Sequence, residues 1–182
     1  MILTDREIII ALDHGHIIVE PRPDLSLALS STTLDLSLSD VFATWDTIKG
    51  STLHPGAVDY SFSDVSRLQK RVQQRSFVLE PSTFVLAWTK EEVTLPETSR
   101  LAARVEGKSS LARLGVGIHV TAPVIHSGFS GNIQLEVFNL GPHRIALDAD
   151  MRICQLVFEQ TYGTPTKGYD GLFAGQTARS EP

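Results

Sequence analysis

The sequence holds a single cysteine, Cys154, among 182 residues. One thiol forms no intrachain disulfide and supplies no site built from several thiolates, such as a zinc centre with His/Cys/Cys ligands. Cys154 lies inside the apolar run 153–158, with Arg152 as its one basic neighbour, which favours a small core residue over an activated nucleophile. Any hydrolytic chemistry in this chain is therefore expected to work without cysteine-bound zinc.

Long apolar runs and an excess of positive charge are also missing. No apolar stretch approaches the ~18 residues needed to cross a bilayer, and no basic-then-apolar signal segment follows Met1, so we expect a cytoplasmic protein with no membrane partner. Sixteen Lys and Arg against 21 Asp and Glu give a net charge of −5, which argues against a general nucleic-acid binder. A local basic patch remains compatible with binding a small anion.

The histidines lack a metal-binding pattern. None of the six forms an i, i+4 helical pair or a compact cluster with acids: His14, His16, His54, His119, His126 and His143. His119 and His126 flank one predicted strand and turn, and are close enough in sequence to share a site.

Short strand-like segments fill most of the chain. From Thr33 onward, leucines alternate with Asp35 and serines, which is the period of a half-buried strand. Similar runs recur, separated by proline or glycine, at 77–79, 83–89, 118–121, 133–140, 145–147 and 153–158. This rhythm is typical of a β-sandwich, jelly roll or barrel, and the length suits one domain over 1–182.

Two helices and a tail interrupt the strands. Thr4 and Glu7 have the spacing of a capping box, which predicts a helix over 4–14. Apolar residues at helical spacing predict a second helix over 63–75, with its charged residues on a solvated face. The segment 164–182 contains strand breakers and no core pattern, so we expect a surface tail that closes over a site.

Gly107-Lys108-Ser109-Ser110 imitates the end of a phosphate-binding P-loop. The imitation is incomplete, because Ala102 stands where that motif needs its first glycine and no strand-then-helix context is evident. The segment is either an anion site, with backbone N–H groups, one ammonium and two hydroxyls as donors, or an ordinary polar turn.

Glu136 belongs to a predicted strand in which it shares one face with Gln134 and Phe138. It is either an outward-facing strand residue or a partly buried general acid/base. In the second case desolvation would raise its pKa from about 4.3 toward neutral, and a nearby arginine would lower it again.

Three consecutive motifs resemble those of the dCTP deaminase family. They read Gly-Lys-Ser-Ser-Leu-Ala-Arg-Leu-Gly over 107–115, Ile-His-Val-Thr-Ala-Pro over 118–123 and Gly-Phe-Ser-Gly-Asn-Ile-Gln-Leu-Glu over 128–136. The segments 3–8 and 33–38 look like the first helix and first long strand of that family. The resemblance implies a mainly β fold, a dUTPase-like distorted β-barrel or jelly roll with short flanking helices, assembled as a homotrimer with active sites between subunits.

The activity implied by the resemblance is zinc-independent hydrolysis of dCTP to dUTP and ammonia, in pyrimidine deoxynucleotide metabolism. Glu136 matches the strand glutamate that activates a water for attack on C4 of cytosine and carries protons to the ring nitrogen and the departing ammonia. Ser109 matches a serine that helps to hold this water, and Arg113 matches an arginine that orients the carboxylate.

The remaining positions match residues that bind the nucleotide. They are Lys108 and Ser110 at the triphosphate, Thr121 and Ala122 at the pyrimidine, Gln134, Leu135, Gln155 and Tyr169 as further contacts, and Lys167 and Gln176 in a tail over the phosphates. Magnesium is expected to arrive bound to the triphosphate rather than to the protein, and dTTP is a candidate inhibitor.

One turn departs from the family pattern. Its usual Ile-Asp-Pro-Gly or Ile-Asp-Ala-Gly reads Ile-His-Ser-Gly over 125–128, so His126 replaces an aspartate. In the related dUTPases that aspartate contacts the sugar and positions the water that attacks the triphosphate, and an imidazole cannot reproduce a carboxylate acceptor pair. We therefore expect dUTP as product. The alternatives are a bifunctional deaminase releasing dUMP, a dUTP pyrophosphatase, and a non-catalytic nucleotide-binding regulator.

Overall fold

The computed structural model describes residues 1–47, 50, 52–171 and 173–178. Helices α1 to α4 span Asp5–Asp13, Leu25–Ala28, Phe62–Ser66 and Ser109–Ala112, and a 3₁₀ turn covers Glu97–Ser99. Strands β1 to β11 span Ile18–Glu20, Leu34–Trp45, Gln69–Gln73, Ser76–Leu79, Phe84–Thr94, Leu101–Gly107, Val116–Gly117, Val124–Ile125, Ser130–Asn139, Ile145–Asp148 and Arg152–Gln160.

The strands form one large antiparallel sheet in the order β7-β9-β5-β2-β11-β6-β8. Strand β1 adds to β5, strand β3 adds to β2, and β4 and β10 pair as a separate ribbon. The ladders β2–β5, β5–β9 and β2–β11 each contain a register shift, and such bulges bend and twist a sheet. The main core packs against α1 and is built from apolar residues of β2, β5, β6, β9 and β11. The prediction of a mainly β fold with short helices is confirmed.

The first helix is also confirmed. Thr4 caps α1, and the reciprocal contacts between Thr4 and Glu7 form the predicted capping box. Ile8 and Leu12 of this helix are buried in the main core. The chain turns away through Gly15 at φ +71°, a conformation that costs a glycine little.

The prediction of a helix over 63–75 is wrong for most of its length. Only Phe62–Ser66 is helical, and Gln69–Gln73 forms β3 against the second half of β2. The guanidinium of Arg71 lies over the ring of the buried Trp88, 4.8 Å from its centroid, so this residue does not belong to a fully solvated face. Backbone hydrogen bonds to the long strand β2 compete here with helix formation. The apolar spacing within 63–75 carries no information about that distant strand.

Two expectations for the motifs over 107–115 and 118–123 also need correction. The segment 118–121 is not a strand: the pairing of β7 with β9 ends at Gly117, and the next strand in the chain, β8, pairs with β6 instead. A side chain at Gly117 would overlap the ring of Phe138, its partner on β9, because that ring packs directly over the glycine. Contrary to expectation, a strand-then-helix context surrounds Lys108, because β6 ends at Gly107 and α4 begins at Ser109, although α4 is a single turn.

The C-terminal segment carries no helix or strand over its described residues 164–171 and 173–178, while the other tail positions lie outside the description. It nevertheless docks on β9: the N–H of Gly175 donates to Ser130, and Asn132 exchanges hydrogen bonds with Gln176 and Ala178. Within the described part of the chain, no helix is long and apolar enough to span a membrane.

Glu91 is a buried acid in β5, with 3% of its surface exposed. It accepts a hydrogen bond from the backbone N–H of Ser37 at 2.8 Å. Loss of hydration on burial raises the pKa of Glu91, and the hydrogen bond from Ser37 offsets part of that rise.

Glu91→Gln is expected to increase the free energy of unfolding relative to the wild type, by an amount that grows as the pH increases. Because the pKa of Glu91 is higher in the folded state, its stabilising contribution is complete below the unfolded-state pKa and is lost as the pH rises through the folded-state pKa. The variant minus wild-type free energy of unfolding should therefore grow from about pH 4 toward neutral pH, as measured by urea unfolding. A difference that is independent of pH would contradict this account.

Candidate active site

Strand β9 places Glu136 on the wall of a cavity of about 440 Å³. Leu135 and Val137 are buried, whereas Gln134 and Glu136 are half-buried, which is the predicted alternation. The carboxylate oxygen Oε2 of Glu136 accepts a hydrogen bond from the backbone N–H of Val120 at 3.2 Å. This bond fixes the irregular segment after β7 against the acid, so one carboxylate oxygen is held in place at the cavity wall.

The rest of this cavity is rich in aromatic side chains. Five of them come from separate parts of the chain: Trp45, Phe62, Phe84, Phe129 and Phe173. Flat apolar walls with a few polar groups suit an aromatic ring that also needs hydrogen bonds. Phe173 belongs to the tail predicted to close over a site, whereas no local motif marks the other four residues, because only the fold brings them together.

A second cavity, of about 380 Å³, is formed by the turn between β6 and α4. Lys108, Ser109, Ser110 and Gln155 line it, together with Glu106, Gly107 and Ala112. The side-chain amide of Gln155 donates to the carbonyl of Gly107 at 3.1 Å, which holds the turn against β11. The two cavities share no lining residue.

The predicted site residues thus fall into separate groups. The first cavity is lined by Ala122, Gln134, Leu135, Glu136, Tyr169 and Gln176, and the second by Lys108, Ser109, Ser110 and Gln155. Although Leu135 lines the first cavity, its side chain is buried in the hydrophobic core. Arg113 and Thr121 are exposed and line neither cavity, and Lys167 lines a neighbouring depression.

The C-terminal segment closes one side of the first cavity through an aromatic stack. The rings of His126 and Tyr169 lie 5.4 Å apart and nearly parallel, at 15°. The N–H of Tyr169 donates to the carbonyl of Ser127 at 3.1 Å. A side chain on Gly128, whose φ is +87°, would collide with the backbone of this segment, so the glycine permits the close approach. His126, which stands where the family resemblance leads one to expect an aspartate, therefore contacts the C-terminal segment.

His119 and His126 both line the first cavity, in line with their proximity in the sequence. In the part of the chain that the structure describes, no three His, Cys, Asp or Glu side chains cluster closely enough to hold a metal ion. Cys154 is fully buried, which confirms its prediction as a core residue. Desolvation, with the charges of Glu91 and Asp35 nearby, raises the pKa of its thiol far above the usual range.

The family model described as dCTP deaminase-like matches residues 2–161. The chain belongs to this family. The match includes every residue that lines the second cavity, and it includes the lining of the first cavity except Tyr169, Phe173 and Gln176 of the C-terminal segment.

Curated relatives agree with this family membership over most of their length. A protein of Methanothermobacter thermautotrophicus named "dCTP deaminase, dUMP-forming" is 36% identical, over 97% of this chain and 90% of its own. A "dCTP deaminase" of Marinomonas sp. is 40% identical, over 93% of this chain and 89% of its own.

A solved structure shares the fold. The crystal structure of 2'-deoxycytidine 5'-triphosphate deaminase from Agrobacterium tumefaciens has a TM-score of 0.66 and 22% sequence identity. The match covers 87% of this chain and 48% of that one, so this chain spans about half the length of the matched chain. With the observed sheet, this match shows that the chain shares the mainly β fold of that deaminase.

Proposed function

We propose that this protein is a hydrolase that deaminates dCTP to dUTP and ammonia. The observation that carries the proposal is the position of Glu136, a half-buried carboxylate held by Val120 on the wall of an aromatic cavity. Membership of the dCTP deaminase-like family and the names of the curated relatives support the substrate class.

In the proposed reaction Glu136 acts as a proton shuttle. It accepts a proton from a water molecule while the water oxygen forms a bond to C4 of the cytosine ring. The proton passes to the ring nitrogen N3, and a second transfer, from the hydroxyl on C4 to the amino group, lets the C4–N bond break and ammonia leave. Gln134 and the backbone of Thr121 and Ala122 would orient the pyrimidine and the water, with Ser109 as a further contact to the water.

We propose that a second copy of the chain completes each site. Ser109 and Arg113 do not line the cavity that contains Glu136, so a neighbouring protomer of a homotrimer would supply them. Two apolar residues of that cavity support an interface there, because Phe84 and Val124 stay 39% and 48% exposed in the single chain.

The triphosphate would occupy the cavity formed by the turn after β6. Lys108, Ser110 and Gln155 offer N–H and O–H donors, which suit phosphate oxygens rather than a cation. Mg²⁺ usually keeps several waters and binds through substrate phosphates, where it neutralises their charge. We therefore propose that the ion enters with the nucleotide, and that Lys167, Tyr169 and Gln176 of the tail cover it.

One assay separates the proposed activity from its alternatives. The protein is incubated with dCTP, dUTP and dCMP in the presence of magnesium, and ammonia, pyrophosphate and uracil nucleotides are measured. Ammonia from dCTP without pyrophosphate supports the proposal. Pyrophosphate from dCTP would instead support the bifunctional reaction, which the name of the Methanothermobacter relative favours. Pyrophosphate from dUTP alone indicates a pyrophosphatase. Nucleotide binding without turnover indicates a regulator, and dTTP is a further ligand to test in that case.

His126→Asp is expected to add pyrophosphate release to the deaminase activity. The imidazole of His126 is engaged with Tyr169, whereas a carboxylate would restore the acceptor pair that family members usually have at this turn. The measurement is the molar ratio of pyrophosphate to ammonia formed from dCTP. His126→Asn, which lacks the second carboxylate oxygen, is the matched control, and a ratio that rises equally in both variants would contradict the role given to the carboxylate.

A further inference from the structure

Asp35 is an acid buried beneath the cavity that contains Lys108. It lies on β2 with 4% of its surface exposed, and its oxygen Oδ2 is 2.5 Å from the ammonium of Lys108. A guanidinium nitrogen of Arg152 is 3.4 Å from the same oxygen. The alternation of β2 predicts Asp35 on a solvent-facing side, and the structure corrects this, because β11 and the turn after β6 cover it.

The surroundings of Asp35 hold Lys108 in a defined place. Strand β11 pairs Gln155 directly with Asp35, and Gln155 also bonds to Gly107, the residue before Lys108. The side chain of Arg152 donates as well to the carbonyl of Leu27. The ammonium is therefore fixed on its inner side by a carboxylate, while the side chain of Lys108 stays 23% exposed toward the cavity.

Two cations share one anion in this cluster, so it keeps a net positive charge with Asp35 in place. Without that anion, Lys108 and Arg152 would face each other as like charges at short range, and both side chains would turn toward solvent. An ammonium on the flexible lysine stem then has no fixed position relative to a bound anion, and a misplaced group binds that anion less well.

We propose that Asp35 is a positioning residue, which together with Arg152 aims the ammonium of Lys108 at the phosphates of the nucleotide. The inference rests on the proposed function, since Lys108 is there the phosphate contact. It assigns no contact between Asp35 and the nucleotide itself.

A double-mutant cycle tests this role with inorganic triphosphate as the probe, titrated by calorimetry in the presence of magnesium. Asp35→Asn is expected to raise the Kd by about tenfold, the order of loss for one misplaced charged donor. Lys108→Met should raise it at least as much, and adding Asp35→Asn to Lys108→Met should change nothing further. With dCTP as substrate, Asp35→Asn should raise KM and leave kcat near that of the wild type.

Glu91→Gln is the matched control, because Glu91 is an equally buried acid that bonds to the backbone of Ser37 on the same strand as Asp35. It should leave the Kd unchanged. The inference would be overturned if Asp35→Asn bound triphosphate as tightly as the wild type or more tightly. It would also be overturned if Asp35→Asn weakened binding equally in the wild type and in Lys108→Met, or if the wild type did not bind triphosphate.

The same variants remain informative if Asp35→Asn folds poorly. The double variant should then melt at a higher temperature than additive single effects predict, and additive melting temperatures would overturn the coupling between Asp35 and Lys108. Triphosphate binding does not depend on turnover. A wild type that shows the expected cycle but releases no ammonia from dCTP would refute the proposed function and leave the inference standing.

Discussion

Glu136→Gln is expected to bind dCTP as the wild type does and to release ammonia about 10²- to 10⁴-fold more slowly, the usual contribution of a general base. The amide oxygen of glutamine still accepts the hydrogen bond from Val120, so the geometry of the cavity wall is kept. What the variant lacks is the ability to take a proton from water. Single-turnover ammonia release and a separate titration with dCTP measure the two properties independently.

A second strand glutamate provides the control for this experiment. Glu159 lies on β11, is also half-buried, and pairs with Arg104 at 2.7 Å outside the cavity that contains Glu136. Glu159→Gln should retain turnover, since it removes one charge from a strand without touching the site. Undiminished ammonia release by Glu136→Gln would refute the catalytic assignment, and equal losses in both variants would point to a general effect on folding.

Local patterns account for the parts of the fold that short-range forces determine. The capping box at Thr4 and the alternation along β9 follow from the hydrogen bonds and faces of single elements. The helix expected over 63–75 fails because β3 gains its hydrogen bonds from β2, a strand more than twenty residues earlier in the chain. The strand expected over 118–121 fails similarly, since the N–H of Val120 bonds to a side chain instead of a neighbouring strand.

The candidate site divides in the same way. Motifs predict Glu136 and Lys108 as site residues, because chemistry and spacing are encoded in contiguous residues. The sequence does not predict Trp45, Phe62, Phe84, Phe129 or Asp35 as parts of the site, because their roles depend on which strands become neighbours. Asp35 shows this best: a polar residue in alternation with leucines predicts a solvated face, yet β11 and two cations cover it.

Mixed trimers should recover activity from two inactive variants. Glu136→Gln and Arg113→Ala disable groups that the proposed trimer takes from different chains of one site. In a cyclic trimer that contains both kinds of chain, one site combines an intact Glu136 with an intact Arg113. Trimers carrying two affinity tags, one per variant, should therefore show about a third of the wild-type rate.

The recovered fraction distinguishes a shared site from a site within one chain. If each protomer held a complete site, every site in a mixed trimer would still carry one of the two substitutions, and the rate would stay at the level of the parents. Trimers selected in the same way from two differently tagged Glu136→Gln chains control for exchange and purification, and should remain inactive. Arg113 is exposed and lies outside the cavity that contains Glu136 in its own chain, so recovery of activity would measure the proposed contact between neighbouring chains directly.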